Sequence, residues 1–104
     1  MAEEKFDAIV VGAGPAGSAA AYTMSKAGLS VVLIERGEFP GAKNLFGGVL
    51  YRKQLEDILP DKWQKAPVER QIIEQRFWLM GDESAITFSH RNQAFKDPVN
   101  CWTA

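Results

Sequence analysis

Cysteine and histidine are almost absent from this sequence. Cys101 is the only cysteine and His90 the only histidine among the 104 residues. A single cysteine cannot form an internal disulfide. The two residues also offer no set of thiolates or imidazoles for an iron–sulfur cluster or a structural zinc ion. We therefore predict no metal site here. We interpret Cys101 as a buried residue without a chemical role, and His90 as a strand residue rather than a general base.

An excess of charge of one sign is also missing. Twelve Lys and Arg residues oppose 13 Asp and Glu residues, which gives a net charge of −1. No basic field is present to attract nucleic acid or an anionic membrane, so we expect no nucleic-acid partner. The first residues, MAEEKFD, are acidic where a signal peptide is basic, and Gly12 and Gly14 interrupt the apolar run that follows. We expect neither export nor a transmembrane helix.

A strand–helix–strand pattern stands near the start of the chain. The apolar segment FDAIVV (6–11) is typical of a strand buried on both faces of a parallel sheet. Pro15 suits the first turn of a helix, alanines follow it, and Gly28 is placed to end the helix. The segment LSVVLIE (29–35) then predicts a second buried strand. Residues 6–35 have the length of one βαβ unit, about 30 residues, which indicates an α/β fold.

Three glycines lie between the first strand and the helix. Gly12, Gly14 and Gly17 form G-x-G-x-x-G: the first permits a tight turn, the second lets a pyrophosphate approach the backbone, and the third lets helix and strand pack closely. The N-terminus of the helix favours an anion there. Glu35 stands eighteen residues after Gly17, where a carboxylate can accept hydrogen bonds from both ribose hydroxyls. The alternative is that the glycines serve only the turn.

The choice of dinucleotide depends on the residues after the second strand. Glu35 disfavours the 2′-phosphate of NADP, because two negative charges would meet there, and Arg36 offsets this only in part. The segment 37–51 is rich in Gly and Pro and predicts a loop where an NAD domain usually continues with a helix. With its backbone N–H groups and Lys43, this loop could cover a flavin nucleotide. The alternative is a plain surface loop.

The remaining segments predict a short helix and a hairpin. Residues 52–59 have apolar side chains on one helical face, and Pro60 ends the pattern. The segments RQIIEQRFWLM and SAITFSHR flank the turn GDES, which predicts an antiparallel hairpin. We interpret the three tryptophans as core residues, which is the usual environment of large aromatic side chains. They are Trp63, Trp78 and Trp102.

The run DAIVVGAGPAGSAAAYTMSKAGLSVVLIERGEFPGAKNLFGG resembles the N-terminus of the electron-transfer flavoprotein:quinone oxidoreductase family, most closely its bacterial FixC-type dehydrogenases. The geranylgeranyl reductases are a related family. The resemblance extends over essentially the whole chain, and ERGEFPGAKNLFGG and PVERQI are its more specific parts. It implies that residues 1–66 belong to a Rossmann-type FAD-binding domain of the glutathione-reductase-like kind. Residues 67–104 would begin a second, antiparallel-sheet substrate domain.

The resemblance also implies a set of cofactor-binding residues and no catalytic side chain. Gly12, Gly14 and Gly17 would hold the FAD pyrophosphate, Glu35 the adenosine ribose, and Arg36 would lie near the adenine. Lys43, Asn44, Gly47 and Gly48 would approach the flavin. The full set is Gly12, Gly14, Pro15, Ala16, Gly17, Glu35, Arg36, Lys43, Asn44, Gly47 and Gly48.

Members of this family pass electrons from a partner flavoprotein through FAD to quinone or another acceptor, and many work beside a ferredoxin-like protein. The resemblance therefore implies an FAD-dependent oxidoreductase whose partners are electron-transfer flavoprotein subunits, a ferredoxin-like protein and quinone. We expect it in the cytoplasm or at the inner face of the cell membrane. Two alternatives stay open: another FAD or NAD oxidoreductase, such as a prenyl reductase, and a non-enzymatic nucleotide-binding or interaction module.

Two parallel strands, one long helix and a hairpin do not complete two packed layers. The later FAD-binding segment and the quinone region of the family are also missing. We therefore expect these 104 residues to be part of a longer enzyme, to require the remainder of their own chain, and to be inactive alone.

Overall fold

The computed structural model describes residues 3–45, 47–95 and 101–103. It divides the chain into two compact units, of which the first ends at Leu45 and the second comprises the rest. The sequence predicts a domain boundary after residue 66, and that boundary stays a prediction for the complete protein.

The first unit consists of two parallel strands and one helix. They are β1 (Ala8–Val11), α1 (Pro15–Lys26) and β2 (Val31–Ile34). In the pairing of β1 with β2, Ala8 lies opposite Val31 and Val11 opposite Ile34. The order of strand, helix and strand is the one that the sequence predicts.

The strands of the first unit are less buried than their composition predicts. Val11 is 81% exposed, and none of the residues of β1 or β2 is fully buried. A single helix can cover only one face of a sheet, and α1 is the helix that contacts both strands. The apolar composition of the strands is therefore typical of a sheet that has a second covering layer.

Proline and glycine limit α1 at its two ends. Gly14 precedes the helix with an extended backbone, and Pro15 occupies the first turn, where its missing N–H costs no helical hydrogen bond. Beyond Lys26, Gly28 has a φ of +90° and donates its N–H to the carbonyl oxygen of Ser25 at 3.0 Å. Only glycine adopts this left-handed conformation without strain, so the helix ends where the sequence predicts.

Among its described residues, the second unit contains one short α-helix and four strands. They are β3 (Val49–Tyr51), α2 (Arg52–Ile58), β4 (Gln75–Met80), β5 (Ala85–His90) and β6 (Cys101–Thr103). β4 and β5 form the predicted antiparallel hairpin, with Gln75 opposite His90 and Met80 opposite Ala85. His90 is therefore a strand residue, as predicted.

β3 is a strand where the sequence predicts the end of a loop. It pairs antiparallel with β6, so that Val49 lies opposite Thr103 and Tyr51 opposite Cys101. The pairing joins residues that are about fifty positions apart in the sequence, and strands of three residues have no periodicity of their own. No local pattern in the segment 37–51 could therefore have indicated it.

The core of the second unit forms around β6. Cys101 is fully buried, as predicted, and burial raises the pKa of its thiol. Trp102 is also buried, and its ring centroid lies 5.9 Å from that of the half-buried Trp63. The prediction of a core position is wrong for Trp78, which is 60% exposed because no other part of the described chain covers that face of the β4–β5 hairpin.

Candidate functional site

The glycine turn begins where β1 leaves the sheet. The N–H of Gly12 donates to the carbonyl oxygen of Ile34 at 2.7 Å, which continues the pairing of the strands by one hydrogen bond. Gly12 then takes a φ of +97°, in the left-handed region that other residues adopt only with strain. The first glycine of the pattern is therefore required by the backbone conformation of the turn.

The third glycine is required by packing. A Cβ atom on Gly17 would overlap the carbonyl oxygen of Gly12, and it would lie 3.4 Å from Cγ1 of Val10. The first turn of α1 thus rests directly on the backbone of the preceding turn. Any side chain at this position would separate the helix from the strand.

The second glycine has open space around it. A Cβ atom on Gly14 would meet nothing within 4 Å, and Gly14 has an extended backbone rather than a positive φ. Neither strain nor packing therefore explains a glycine here. The open space is what the approach of a phosphate group to the backbone needs.

The N-terminus of α1 suits an anion. Pro15 has no N–H, but those of Ala16 and Gly17 belong to the first helical turn, whose donors have no acceptor inside the helix. The first turn carries no acidic side chain that would compete for the positive end of the helix dipole. These residues therefore fit the pyrophosphate of a dinucleotide.

The carboxylate of Glu35 lies against the glycine turn. Its Oε2 accepts a hydrogen bond from the N–H of Ala13 at 2.7 Å, and its Oε1 accepts one from the N–H of Gly37 at 2.6 Å. The bonds from Gly37 and Ala13, with a smaller contribution from the charge of Lys43, lower the pKa of Glu35 below its ordinary value. A carboxylate has about four acceptor positions, so the backbone donors leave acceptor capacity for a ribose hydroxyl.

Two neighbouring residues complete this arrangement, and the sequence patterns did not single them out. Ala13 is 3% exposed, and its N–H is the donor that reaches Glu35 across 22 positions of the sequence. A Cβ atom on Gly37 would lie 2.9 Å from Cβ of Ala42 and 3.2 Å from Oε1 of Glu35. The sequence offers two signals for this contact: the variable position inside G-x-G, and a glycine two residues after the acidic residue.

The other predicted site residues are distributed over both units. Arg36 and Lys43 are exposed. The N–H of Asn44 donates to the carbonyl oxygen of Gly41 at 2.9 Å, which closes a turn in the loop after β2. Gly47 and Gly48 belong to the second unit, directly before β3, and their approach to a flavin stays a prediction.

Two other kinds of site were tested in residues 3–45, 47–95 and 101–103. In these residues, no group of three or more His, Cys, Asp or Glu side chains is arranged to hold a metal ion. Over the same residues, no helix is both long enough and apolar enough to cross a membrane.

A glycine turn between a parallel strand and a helix, with a carboxylate after the next strand, is typical of dinucleotide-binding α/β proteins. The family model of the FAD dependent oxidoreductases matches residues 7–95, and the chain belongs to this family. Membership of the family implies FAD as the cofactor. The open space at Gly14 and the remaining acceptor positions of Glu35 fit the pyrophosphate and the ribose of this cofactor.

Similar curated proteins agree with the resemblance that the sequence suggests. The chain is 52% identical over 97 residues to Protein FixC of Bradyrhizobium diazoefficiens, which is 93% of this chain and 22% of that protein. It is 52% identical over 101 residues to Protein FixC of Azotobacter vinelandii, which is 96% of this chain and 23% of that protein. A probable electron transfer flavoprotein-quinone oxidoreductase of Escherichia coli, YdiS, is 51% identical over 94 residues, 89% of this chain and 22% of that protein. The chain thus spans less than a quarter of the length of these relatives.

Proposed function

We propose that this chain forms the N-terminal part of a Rossmann-type domain that binds FAD in a flavoprotein dehydrogenase. One observation carries the proposal: the N–H of Ala13 donates to the carboxylate of Glu35. This bond links the carboxylate that we assign to the ribose with the glycine turn that we assign to the pyrophosphate. The buried N–H of Ala13 needs an acceptor, and the carboxylate that supplies it from the end of β2 can also accept from a ribose. The open backbone at Gly14 supports the same function.

The residues of this chain bind and orient the cofactor, while bound FAD supplies the redox chemistry. The N–H groups of Ala16 and Gly17 hold the pyrophosphate, and Gly14 leaves room for it. The backbone donors lower the pKa of Glu35 and so favour its carboxylate form, which accepts from the ribose hydroxyls. Arg36 lies beside the adenine. The flavin end is approached by Lys43, Asn44, Gly47 and Gly48.

The complete protein passes electrons from an electron-transfer flavoprotein through FAD to quinone or a ferredoxin-type acceptor, at the cytoplasmic face of the cell membrane. The name of the electron transfer flavoprotein-quinone oxidoreductase relative supports the electron-transfer flavoprotein and the quinone in this proposal. The antiparallel hairpin of β4 and β5 supports a second domain that begins within residues 67–104 and contributes to the substrate site.

The proposal is tested with the complete purified protein. Acid should release FAD in stoichiometric amount, and the flavin should be reduced by a reduced electron-transfer flavoprotein and reoxidised by quinone. Reduction by NADH without a partner flavoprotein, or the reduction of prenyl double bonds, would instead assign the chain to the alternative oxidoreductases. A folded protein that retains neither flavin nor nicotinamide nucleotide would contradict the proposed function.

A further inference from the structure

The contact of Glu35 with Ala13 is complete without a ligand. The Ala13 N–H lies in the turn between the first two glycines, and Ala13 is nearly fully buried, so water cannot easily replace its acceptor. The second carboxylate oxygen is held by the N–H of Gly37. Both oxygens of Glu35 are thus fixed by the backbone, one on each side of the carboxylate.

We propose that Glu35 is a positioning residue for the pyrophosphate: it holds the peptide of Ala13 and thereby sets the backbone of the glycine turn that receives the phosphates. This inference rests on the proposed function and goes beyond the ribose contact. Glu35 then contributes to the affinity for the phosphate groups even when the ligand has no ribose hydroxyls.

The surroundings of Glu35 leave little freedom for another arrangement. The N–H of Gly37 holds Oε1 of Glu35 at 2.6 Å, and a Cβ atom at position 37 would lie 3.2 Å from the same oxygen, so only a glycine leaves this space to the carboxylate. A glutamine at position 35 has one acceptor oxygen and an NH₂ group that only donates. It can therefore keep one of the two backbone bonds, and it places a donor against the other N–H.

The direction in which Glu35→Gln changes the affinity for an anion distinguishes a positioning role of Glu35 from an effect of its charge. Removing a negative charge beside an anion site strengthens the binding of an anion if charge alone matters. Loss of the correct backbone geometry weakens the binding instead. Glu38, an exposed carboxylate three residues further along the chain, provides a matched control for the charge.

The experiment compares two ligands on the FAD-free complete protein. Titration calorimetry measures the affinity for ADP, which has both ribose hydroxyls, and for 2′,3′-dideoxy-ADP, which has neither. Glu35→Gln should bind dideoxy-ADP about tenfold more weakly than the wild type does, the scale of one charge-assisted hydrogen bond. Glu38→Gln should bind both ligands as tightly as the wild type or slightly more tightly.

A second variant and a spectroscopic measurement exclude a simple loss of folding. Glu35→Asp keeps the charge but is shorter by one C–C bond, about 1.5 Å, so it should show the same loss. In protein labelled with ¹⁵N-alanine, the Ala13 amide should exchange with solvent faster in both variants, while the other alanine signals keep their positions.

Two results would overturn the inference. If both variants bind dideoxy-ADP like the wild type and lose affinity only for ADP, Glu35 acts through the ribose alone. If Ala13 exchanges at the wild-type rate in both Glu35→Gln and Glu35→Asp, the carboxylate does not hold the turn. A wild-type protein that binds neither ADP nor FAD would instead contradict the proposed function itself.

Discussion

The carbonyl oxygen of Gly12 occupies the space that a Cβ atom on residue 17 would need. The two glycines therefore touch across the turn that connects β1 with α1, whereas a Cβ atom on Gly14 between them would meet nothing within 4 Å. One motif thus contains a glycine for conformation, one for packing and one for the open space at the helix N-terminus. These three roles lead to different consequences of substitution.

Gly17→Ala should prevent the normal packing of α1 on the turn. The overlap is with backbone, which a rotamer change cannot relieve, so we expect a loss of stability at the upper end of single substitutions, about 4 kcal/mol or more. Thermal unfolding of the complete protein measures it. Gly81→Ala, where a Cβ atom would lie 3.1 Å from Oγ of exposed Ser84, is the control and should change little. Unfolding of Gly17→Ala at the wild-type temperature would contradict the packing role.

Gly14→Ala should leave the protein folded and remove its flavin. The added methyl group meets no protein atom within 4 Å, but it projects into the space that the pyrophosphate needs. We expect the purified complete protein to be nearly colourless, with a circular dichroism spectrum like that of the wild type. A yellow protein with full flavin occupancy would show that the phosphates do not approach at this residue.

The local features of the first unit could be predicted from the sequence. Gly12, Pro15 and Gly28 have special backbone conformations or positions, and each is specified by its residue type. The helix at Arg52–Ile58 and the hairpin after it were predictable for the same reason, since periodicity and turn residues act over short distances.

The contacts between distant segments could not be predicted in this way. The Ala13–Glu35 bond uses a backbone donor, which every residue except proline offers, so the residue type carries no signal. The pairing of β3 with β6 depends on a register between two strands of three residues. The exposure of Trp78 depends on which segment covers the hairpin. Composition predicts that a tryptophan is covered, but it does not say by which segment.

Glu74 should make the stability of the second unit depend on pH. Arg76, Ser89 and Arg91 donate to its carboxylate at 2.6, 2.7 and 2.6 Å, and these partners lower its pKa from 4.5 to about 2. Since the pKa is lower in the folded state, the stabilisation is fully present above about pH 4.5 and is lost as the pH falls toward 2.

The variant Glu74→Gln tests this dependence. The difference in melting temperature between the wild type and the variant should be largest above pH 4.5, where the carboxylate is charged in both states, and should shrink as the pH is lowered. Glu83→Gln at the exposed turn of the hairpin serves as control and should show no such change. A difference that stays constant from pH 7 to pH 3 would show that the network does not act through the charge of Glu74.

The 104 residues by themselves should bind FAD only weakly. β1 and β2 form a sheet of two strands, and the β4–β5 hairpin exposes apolar side chains on both faces. A two-stranded sheet is seldom stable alone, and open strand edges promote aggregation. Under the proposed function, the glycine turn and Glu35 would contact only the adenosine and pyrophosphate half of the cofactor, so little binding energy would be available to offset the ordering of the chain.

Thermal unfolding of the isolated chain, with and without FAD, measures this. We expect a broad transition that FAD shifts by no more than about 2 °C, because the stabilisation by a ligand at free concentration c is RT ln(1 + c/Kd) and stays small when Kd is high. The complete protein, or the 104 residues supplied with the missing part as a second polypeptide, should retain flavin through gel filtration. A cooperative transition of the isolated chain that FAD raises by several degrees would show that the contacts around the glycine turn suffice for binding.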